Sequence, residues 1–237
     1  MKVDRSGQSQ ILDDRQLDLL VEALPVGPHR IICLICRYTA CRITESLKLR
    51  WGYVSDDVIL FPAGITKTSK TREVDIHPVL AQALTQWKAE WSDYQLNGRT
   101  IHERLNLNPS SLPESDHFLF PGLTAGDHIK RQSYDRVLRR TLNGLSIKGA
   151  STHSMRRSSL TKLADHGVPL RHVMQISGHQ SLDCLSKYLG CTPKQRKAAV
   201  NVGCWIGRGW GTNSCFNVGQ STFCFTIIET DQTRSLE

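Results

Sequence analysis

The hydrophobic period of the chain changes between residues 51 and 76. Short β-prone runs occupy residues 51–54, 58–61 and 72–76, and turn residues separate them. Such runs are typical of a small antiparallel sheet. On both sides of this stretch, apolar residues recur at the spacing of an α-helix. The sequence therefore predicts a mainly α fold with a small antiparallel β-sheet, in the α+β class.

Helices are predicted wherever this apolar spacing continues between turn signals. Leu17, Leu20 and Leu24 share one face of a first helix, which ends before Pro25. The polar residues from 98 to 117 break the pattern and are predicted to form a loop. The remaining predicted helices span residues 28–47, 78–91, 130–143, 152–166, 169–177, 181–189 and 193–200.

The length of the chain bounds its domain organisation. Its 237 residues suffice for one large domain, or for one domain with appendages. From residue 201 onward the sequence is rich in Gly, Ser and aromatic residues and has no helical period. We therefore predict an amino-terminal extension over 1–10, one folded domain over 11–200 and an irregular carboxyl-terminal tail over 201–237.

Basic residues are concentrated in one part of the chain. The formal net charge is +8, and residues 130–172 contain ten Lys or Arg residues against Asp135 and Asp165. A basic block inside a folded region predicts a polyanionic partner, first of all nucleic acid. A solvated helical face is the simpler alternative. For a double-stranded DNA partner, the expected contacts are Lys130, Arg131, Arg139, Arg140, Arg157 and Arg171.

The cysteines and the amino terminus indicate a cytoplasmic protein. Cys33 and Cys36 form a Cys-x-x-Cys pair inside an apolar helical run, and no second pair accompanies it. We therefore expect Cys33, Cys36 and Cys41 to be reduced, free of metal and mostly buried in the second helix. The amino terminus has no secretory signal, and its apolar run over 31–36 is too short to cross a bilayer. No membrane contact is expected.

Seven residues have side chains that suit the handling of a phosphate group. Arg42 and Glu45 are three positions apart, as are His153 and Arg156, so each pair shares one side of a helix. Each residue alone also has an ordinary structural explanation, such as an ion pair or packing in the core. The full set is Arg42, Glu45, Lys67, His153, Arg156, His179 and Tyr188.

These residues lie, in chain order, in the segments TACRITE, TKTSKT, HSMR, SGH and KYL. The set resembles the tyrosine recombinases, the family of phage integrases and Xer-type chromosome-dimer resolvases. That family has an arginine in a Thr-Gly-x-Arg-x-x-Glu segment, a lysine in a β-hairpin, a His-x-x-Arg, a Gly-His and a following tyrosine. The resemblance covers residues 10–198, so the domain over 11–200 is identified as a tyrosine recombinase catalytic domain.

The resemblance implies a site-specific DNA recombinase. Such an enzyme cuts and rejoins double-stranded DNA through a 3′-phosphotyrosyl intermediate, without metal, cofactor or ATP. Tyr188 is the implied nucleophile. Lys67, in a turn between two predicted strands, is the implied general acid for the leaving 5′ hydroxyl.

The other five residues surround the phosphate in this scheme. Charge builds on the phosphate oxygens during attack, and fixed cations compensate it. Arg42 and Arg156 suit this task because a guanidinium is always charged and can bind two oxygens. His153 and His179 would donate to the phosphate or help to remove the tyrosine proton. Glu45 is expected to brace the arginine and histidine side chains.

Two features depart from the family pattern. Cys41 stands where the family has glycine. Family members also carry a helical core-binding domain before the catalytic domain, and we expect none here. The resemblance further implies a tetramer on DNA, and a monomer or weak oligomer without it. Two alternatives stay open: a nick-and-rejoin enzyme similar to type IB topoisomerases, and an integrase remnant that binds DNA without cutting it.

Overall fold

The computed structural model describes residues 8–124, 126–190, 197, 200, 216–218 and 221–223. The chain divides into two compact units, residues 1–190 and 191–237. The first unit is mainly helical, as predicted. Its helices are α1 (Asp14–Ala23), α2 (Pro28–Thr39), α3 (Ile43–Leu47), α4 (Pro78–Glu90), α5 (Ile101–Leu105), α6 (Arg131–Gly144), α7 (Thr152–Asp165), α8 (Leu170–Ser177) and α9 (Leu182–Ser186).

Helix α2 is the centre of this unit and packs against α1, α3, α4, α6 and α7. Pro28 occupies its first turn, where a missing N–H leaves no helical hydrogen bond unmade. The side chains from Ile31 to Cys36 are all buried, which explains the apolar run in the sequence. Burying one large aliphatic side chain stabilises a fold by about 1.5–3 kcal/mol, so this helix contributes much of the core.

The prediction of one helix over 28–47 is wrong at its carboxyl end. Helix α2 ends at Thr39, and Ala40 adopts a left-handed conformation with φ of 48°. Arg42 is extended and begins α3. Cys41 is therefore buried just after α2 and not within it. The break lets the Ala40 carbonyl accept a hydrogen bond from Arg156, 116 residues away, a contact that local propensity does not reveal.

A hairpin follows α3. Strand β1 (Val58–Phe61) pairs antiparallel with β2 (Arg72–Asp75), in the register that places Val58 opposite Asp75. This part of the sheet prediction is confirmed. The predicted strand over 51–54 is wrong, because residues 51–53 form a 3₁₀ turn. The hairpin connection, residues 62–71, approaches the carboxyl end of α8.

The predicted loop over 98–117 contains regular structure. Strands β3 (Gln95–Leu96) and β4 (Arg99–Thr100) form a second hairpin and run into α5. Asn97 and Gly98 form its turn with positive φ values of 49° and 75°. Asn-Gly is a strong hairpin signal, so this element was readable from the sequence.

The last helices of the unit lie close to their predicted positions. Helix α7 packs against α2, and α8 packs against α7, α9 and β2. Helix α8 ends at Gly178, whose φ is 69°. Helix α9 ends at Ser186 rather than at the predicted residue 189. Just beyond this end, the carbonyl of Tyr188 accepts long hydrogen bonds of 3.4 Å from Arg157 and Thr161 of α7.

The second unit has one described element, the hairpin of β5 (Phe216–Val218) and β6 (Ser221–Phe223), with Phe216 opposite Phe223. The predicted helix over 193–200 lies outside the described residues, apart from positions 197 and 200. Of the helices that are described, none has both the length and the apolar character needed to span a bilayer.

Candidate active site

Arg156 lies at the centre of the predicted site. It projects from α7 and is fully buried. Its Nη1 donates to the Ala40 carbonyl, and its Nη2 donates to the Ser177 carbonyl at 2.9 Å and to His179 Nε2 at 3.1 Å. Burial, followed by repulsion from Arg42, lowers the pKa of Arg156 to about 10. The guanidinium is therefore still charged at neutral pH.

The Nε atom of Arg156 is a buried donor without a hydrogen-bond partner among the described residues. Leaving a buried donor unpaired costs about 1–3 kcal/mol. Because a guanidinium presents its donors in one plane, a ligand oxygen at this edge would complete its hydrogen bonding. The Nε–H of Arg156 is thus a donor of the site that the described residues leave unused.

His179 follows the turn at Gly178 and reaches the same guanidinium. The hydroxyl of Ser177 donates to the Val173 carbonyl at 2.6 Å and lies 2.7 Å from His179 Nδ1. Because the Ser177 hydroxyl proton is already donated to Val173, Nδ1 of His179 must carry a hydrogen and donate it to the Ser177 oxygen. The other nitrogen, Nε2, then accepts from Arg156. Burial, then the charge of Arg156, lowers the pKa of His179 to about 4. The imidazole is therefore neutral at neutral pH.

Glu45 is fully buried and joins two arginines. Its Oε1 accepts from Arg42 Nη1 at 2.9 Å, and its Oε2 accepts from Arg72 Nη2 at 2.7 Å. Burial alone would raise the pKa of Glu45, but Arg72 and Arg42 hold the pKa of this carboxyl below its usual range. The geometry agrees with the expected bracing of Arg42.

Arg72 is a site residue that the sequence interpretation missed. It lies on β2, and its Nε donates to the Ile176 carbonyl of α8 at 3.1 Å. A Cβ atom at Gly178 would lie 3.3 Å from its side chain, so the glycine makes room for it. An arginine flanked by strand residues gives no local sign of this role. The role depends on the burial of Glu45 between Arg42 and Arg72, which the sequence does not report.

Tyr188 is half-buried, and its ring faces these groups. The ring centroids of Tyr188 and His179 are 4.9 Å apart, and those of Tyr188 and His153 are 6.4 Å apart. The Arg156 guanidinium carbon lies 5.2 Å from the Tyr188 ring centroid. The structure therefore brings His153, Arg156, His179 and Tyr188 into one cluster.

Lys67 is exposed in the turn between β1 and β2. The next residue, Thr68, accepts a long hydrogen bond of 3.5 Å from Gln180 Nε2, directly after His179. A groove between this turn and α8 is lined by Lys70, Arg72, Arg171 and His179, among others. Lys67 is thus on a segment beside the cluster, and the structure shows no direct contact between its ammonium group and the cluster within the described residues.

Of the six residues predicted to contact DNA, five are exposed and one, Arg157, is buried. Arg131, Arg139 and Arg140 on α6 and Arg171 on α8 are exposed. Lys130 is exposed too and forms an ion pair with Asp127, as Arg139 does with Asp135 at 2.7 Å.

Arg157 does not fit the prediction of a DNA contact. It is 8% exposed, and its guanidinium donates to the Ser9 carbonyl, to Gln8 Oε1 and to the Tyr188 carbonyl. The basic block therefore includes an arginine whose donors are used inside the fold. The sequence could not separate it from its exposed neighbours, because charge alone does not report burial.

A separate group on the surface offers possible metal ligands. One ligand atom from each of Glu114, Asp116 and His117 lies within 4.8 Å of the others. Glu114 and Asp116 are exposed, and the ring of His117 stacks on Trp91. None of these three residues is among the site residues described above.

The sequence profile described as "Phage integrase family" matches residues 10–194. The chain belongs to the phage integrase family. Among curated members, it is 27% identical over 150 residues to the tyrosine recombinase XerD of Chlamydia pneumoniae. The aligned part covers 63% of this chain and 44% of that protein. It is 24% identical over 192 residues to XerC of Pediococcus pentosaceus, covering 77% and 58% respectively. This integrase-family chain thus spans about half the length of the curated relatives that it matches.

Solved structures share the fold of this integrase-family chain. A crystal structure of XerA recombinase aligns with a TM-score of 0.63 and 18% identity, covering 84% of this chain and 66% of the other. XerH site-specific recombinase bound to difH substrate aligns with a TM-score of 0.59 and 18% identity, covering 86% and 56%. The prediction of a tyrosine recombinase catalytic-domain fold is confirmed.

Proposed function

We propose that this protein is a site-specific DNA recombinase that cuts and rejoins double-stranded DNA through a 3′-phosphotyrosyl intermediate, without metal or ATP. The observation that carries the proposal is the position of Arg156. Its buried guanidinium contacts His179, lies over the ring of Tyr188, and keeps one donor without a partner among the described residues. A tyrosine beside a fixed cation with a vacant donor suits attack on a phosphodiester.

The positive charges account for phosphate binding. Arg156 Nε and the side chain of Arg42 would bind non-bridging oxygens, and Glu45 holds Arg42 in place through the bond at 2.9 Å. Charge that builds on these oxygens in the transition state is compensated by cations that need not move. The low pKa of His179, about 4, makes it a neutral acceptor or donor rather than a third cation.

Residues of the site account for the bonds and the protons of each chemical step. The phenolic oxygen of Tyr188 attacks phosphorus, and the bond from phosphorus to the 5′ oxygen breaks. The phenolic proton passes to His153, and Lys67 gives a proton to the leaving 5′ oxygen. In the reverse direction, a 5′ hydroxyl attacks the phosphotyrosine and restores the DNA. The exchanged bond has nearly equal energy on both sides, so no ATP is consumed.

The same proposal includes the partner and the assembly. The exposed residues Arg131, Arg140 and Arg171 would bind the phosphates of duplex DNA, and their charge would make that binding sensitive to salt. Recombination between two duplex sites cuts and rejoins four strands. Each cut uses one tyrosine, so four copies of Tyr188 are required. We therefore propose a tetramer on DNA and a cytoplasmic, DNA-associated location.

A suicide substrate tests the proposal. In a duplex nicked close to the cleavage site, attack releases a short fragment that carries the 5′ hydroxyl. This fragment dissociates and cannot reverse the reaction, so the covalent adduct accumulates. We expect an adduct at the 3′ phosphate in the presence of EDTA, with Tyr188→Phe abolishing it while DNA binding stays intact. Tyr53→Phe, which removes a phenol far from His179 in the chain, is the matched control.

The same assay separates the alternatives. DNA binding without any adduct indicates an integrase remnant. An adduct with relaxation of supercoiled DNA, but no exchange between two sites, indicates a nick-and-rejoin enzyme. An adduct that persists in Tyr188→Phe shows that Tyr188 is a packing residue and contradicts the proposal.

A further inference from the structure

Arg157 is a buried cation without a carboxylate among its described hydrogen-bond partners. Its Nη2 donates to Gln8 Oε1 at 2.8 Å, its Nη1 to the Ser9 carbonyl, and its Nε to the Tyr188 carbonyl at 3.4 Å. Burial lowers the pKa of its guanidinium, which remains charged at neutral pH. A buried arginine with three separate acceptors ties three segments together: α7, residues 8–9, and the segment after α9.

The amino-terminal segment, residues 8–12, is held on α7 by further bonds. The Leu12 amide donates to Ser158 Oγ at 2.7 Å, and the hydroxyls of Ser9 and Ser151 are 2.6 Å apart. The backbone N–H of Gln10 donates to the Gly149 carbonyl at 2.9 Å. This segment is therefore an ordered strap across the amino-terminal half of α7.

The strap also touches the segment that carries the tyrosine. A Cβ atom at Gly190 would overlap Ile11 Cδ1, so the two residues are in direct contact. Thr161 of α7 completes the arrangement: its hydroxyl accepts from the Gly190 amide at 3.0 Å and lies 3.4 Å from the Tyr188 carbonyl. The backbone on both sides of Leu189 is thus fixed by α7 and the strap.

We infer that Arg157, with Thr161 and the strap of residues 8–12, is a positioning residue for Tyr188 and not a DNA contact. Arg156 and Arg157 are neighbours with divided tasks: Arg156 lies over the phenol ring, and Arg157 holds the backbone carbonyl of the same tyrosine. This inference rests on the proposed function, in which Tyr188 is the nucleophile. Its consequence is that the amino-terminal strap sets the reactivity of a residue near the other end of the domain.

The physical reason is the short reach of a nucleophilic attack. Reacting atoms must be held near contact distance, and a misplacement of about 1 Å can cost about a hundredfold in rate. Helix α9 ends at Ser186, and the Tyr188 amide still donates to the Leu185 carbonyl at 2.8 Å. The bonds from Arg157 and Thr161 add a second attachment, at the Tyr188 carbonyl.

Single-turnover cleavage of the nicked substrate at saturating DNA distinguishes positioning from DNA binding. We expect Arg157→Ala to slow adduct formation by about 10- to 100-fold while the DNA dissociation constant and its salt dependence stay those of the wild type. A lost phosphate contact would instead leave the saturated rate unchanged and reduce the salt slope by about 1. That second pattern would overturn the inference.

Matched variants control for a general loss of folding. Arg15→Ala removes an exposed arginine from α1 and should leave both the rate and the affinity unchanged. Thr161→Val should slow adduct formation in the same way as Arg157→Ala, whereas Thr161→Ser keeps the hydroxyl and should restore the rate. Equal rates for Thr161→Val and Thr161→Ser would contradict the role of the hydroxyl.

A readout without DNA separates this inference from the proposed function. The chain has five tyrosines, so 3-fluorotyrosine labelling gives a small set of ¹⁹F resonances, and Tyr188→Phe identifies the one from Tyr188. We expect this resonance to shift or broaden in Arg157→Ala and not in Arg15→Ala. If the wild type forms no adduct but the resonance responds, the proposed function fails and the positioning holds. An unchanged Tyr188 resonance in Arg157→Ala overturns the positioning itself.

Discussion

Glu45 and Arg72 form a buried ion pair, with 2.7 Å between Glu45 Oε2 and Arg72 Nη2. The pair joins α3 to strand β2, and Arg72 also donates to the Ile176 carbonyl of α8. Three elements that carry site residues therefore meet at one guanidinium. Through this pair, the hairpin that bears Lys67 is attached to the segment that bears Arg42.

Removing the carboxylate should destabilise the fold strongly. Glu45→Ala leaves Arg42 and Arg72 without their shared partner, and breaking a buried ion pair in this way costs about 3–5 kcal/mol. Urea unfolding followed by circular dichroism measures the loss in the free energy of unfolding. Glu73→Ala, which removes an exposed carboxylate from the same strand as Arg72, should stay within about 0.5 kcal/mol of the wild type. Similar losses in the two variants would contradict the structural role of Glu45.

The buried neutral imidazole of His179 should make stability depend on pH. Its pKa is about 4 in the fold against an ordinary value of 6.5, so the unfolded chain binds the proton more readily. The contribution is complete above pH 6.5 and is lost as the pH falls towards 4, with an upper limit of about 3 kcal/mol. His179→Gln should lack this part of the pH dependence in urea unfolding.

The matched control for His179 is His172→Gln, which removes an exposed histidine from the same region, helix α8. Its unfolding free energy should follow the wild-type curve between pH 6.5 and 4. If His179→Gln also follows that curve, the fold does not lower the pKa of His179, which contradicts the buried neutral imidazole described above.

DNA binding should be dominated by phosphate contacts from α6 and α8. Each phosphate contact removed should reduce the slope of log K against log salt by about 0.9. We expect this reduction for Arg131→Ala, Arg140→Ala and Arg171→Ala, measured by fluorescence anisotropy on a labelled duplex at several salt concentrations. Slopes identical to the wild type in all three variants would place the DNA surface elsewhere.

The buried cysteines should be inert in the folded protein. Cys33 and Cys36 on α2, and Cys41 after it, are buried free thiols, whereas Cys184 is exposed. Burial raises the pKa of the Cys33 thiol to about 12, which removes its reactive thiolate at neutral pH. Burial also shields Cys36 and Cys41 from reagents in solution. Brief labelling with N-ethylmaleimide and peptide mass spectrometry should modify Cys184 and spare the three buried thiols until urea is added. Stoichiometric zinc that is lost on Cys36→Ser would contradict the expectation of metal-free cysteines.

Local sequence signals predicted most of the regular structure. The apolar spacing placed α1, α4 and α6 to α8 within a few residues of their observed bounds, because helix formation depends mainly on neighbours three and four positions away. Asn97 and Gly98 show that a further hairpin was readable and was overlooked. The spacing of His153 and Arg156 likewise indicated a shared helix side.

By itself, the sequence determined the positions of α1, α4 and α6 to α8, the hairpin of β1 and β2, and the identity of His153, Arg156 and His179, which cluster around Tyr188. The tertiary structure alone decided the break of α2 at Ala40, the place of Arg72 beside Glu45, and the burial of Arg157 against the amino-terminal strap. Each of these depends on a bond between residues far apart in the chain. Local propensity reports the cost of a conformation to its own neighbours, whereas a buried guanidinium takes its acceptors from whichever segments the packing brings to it.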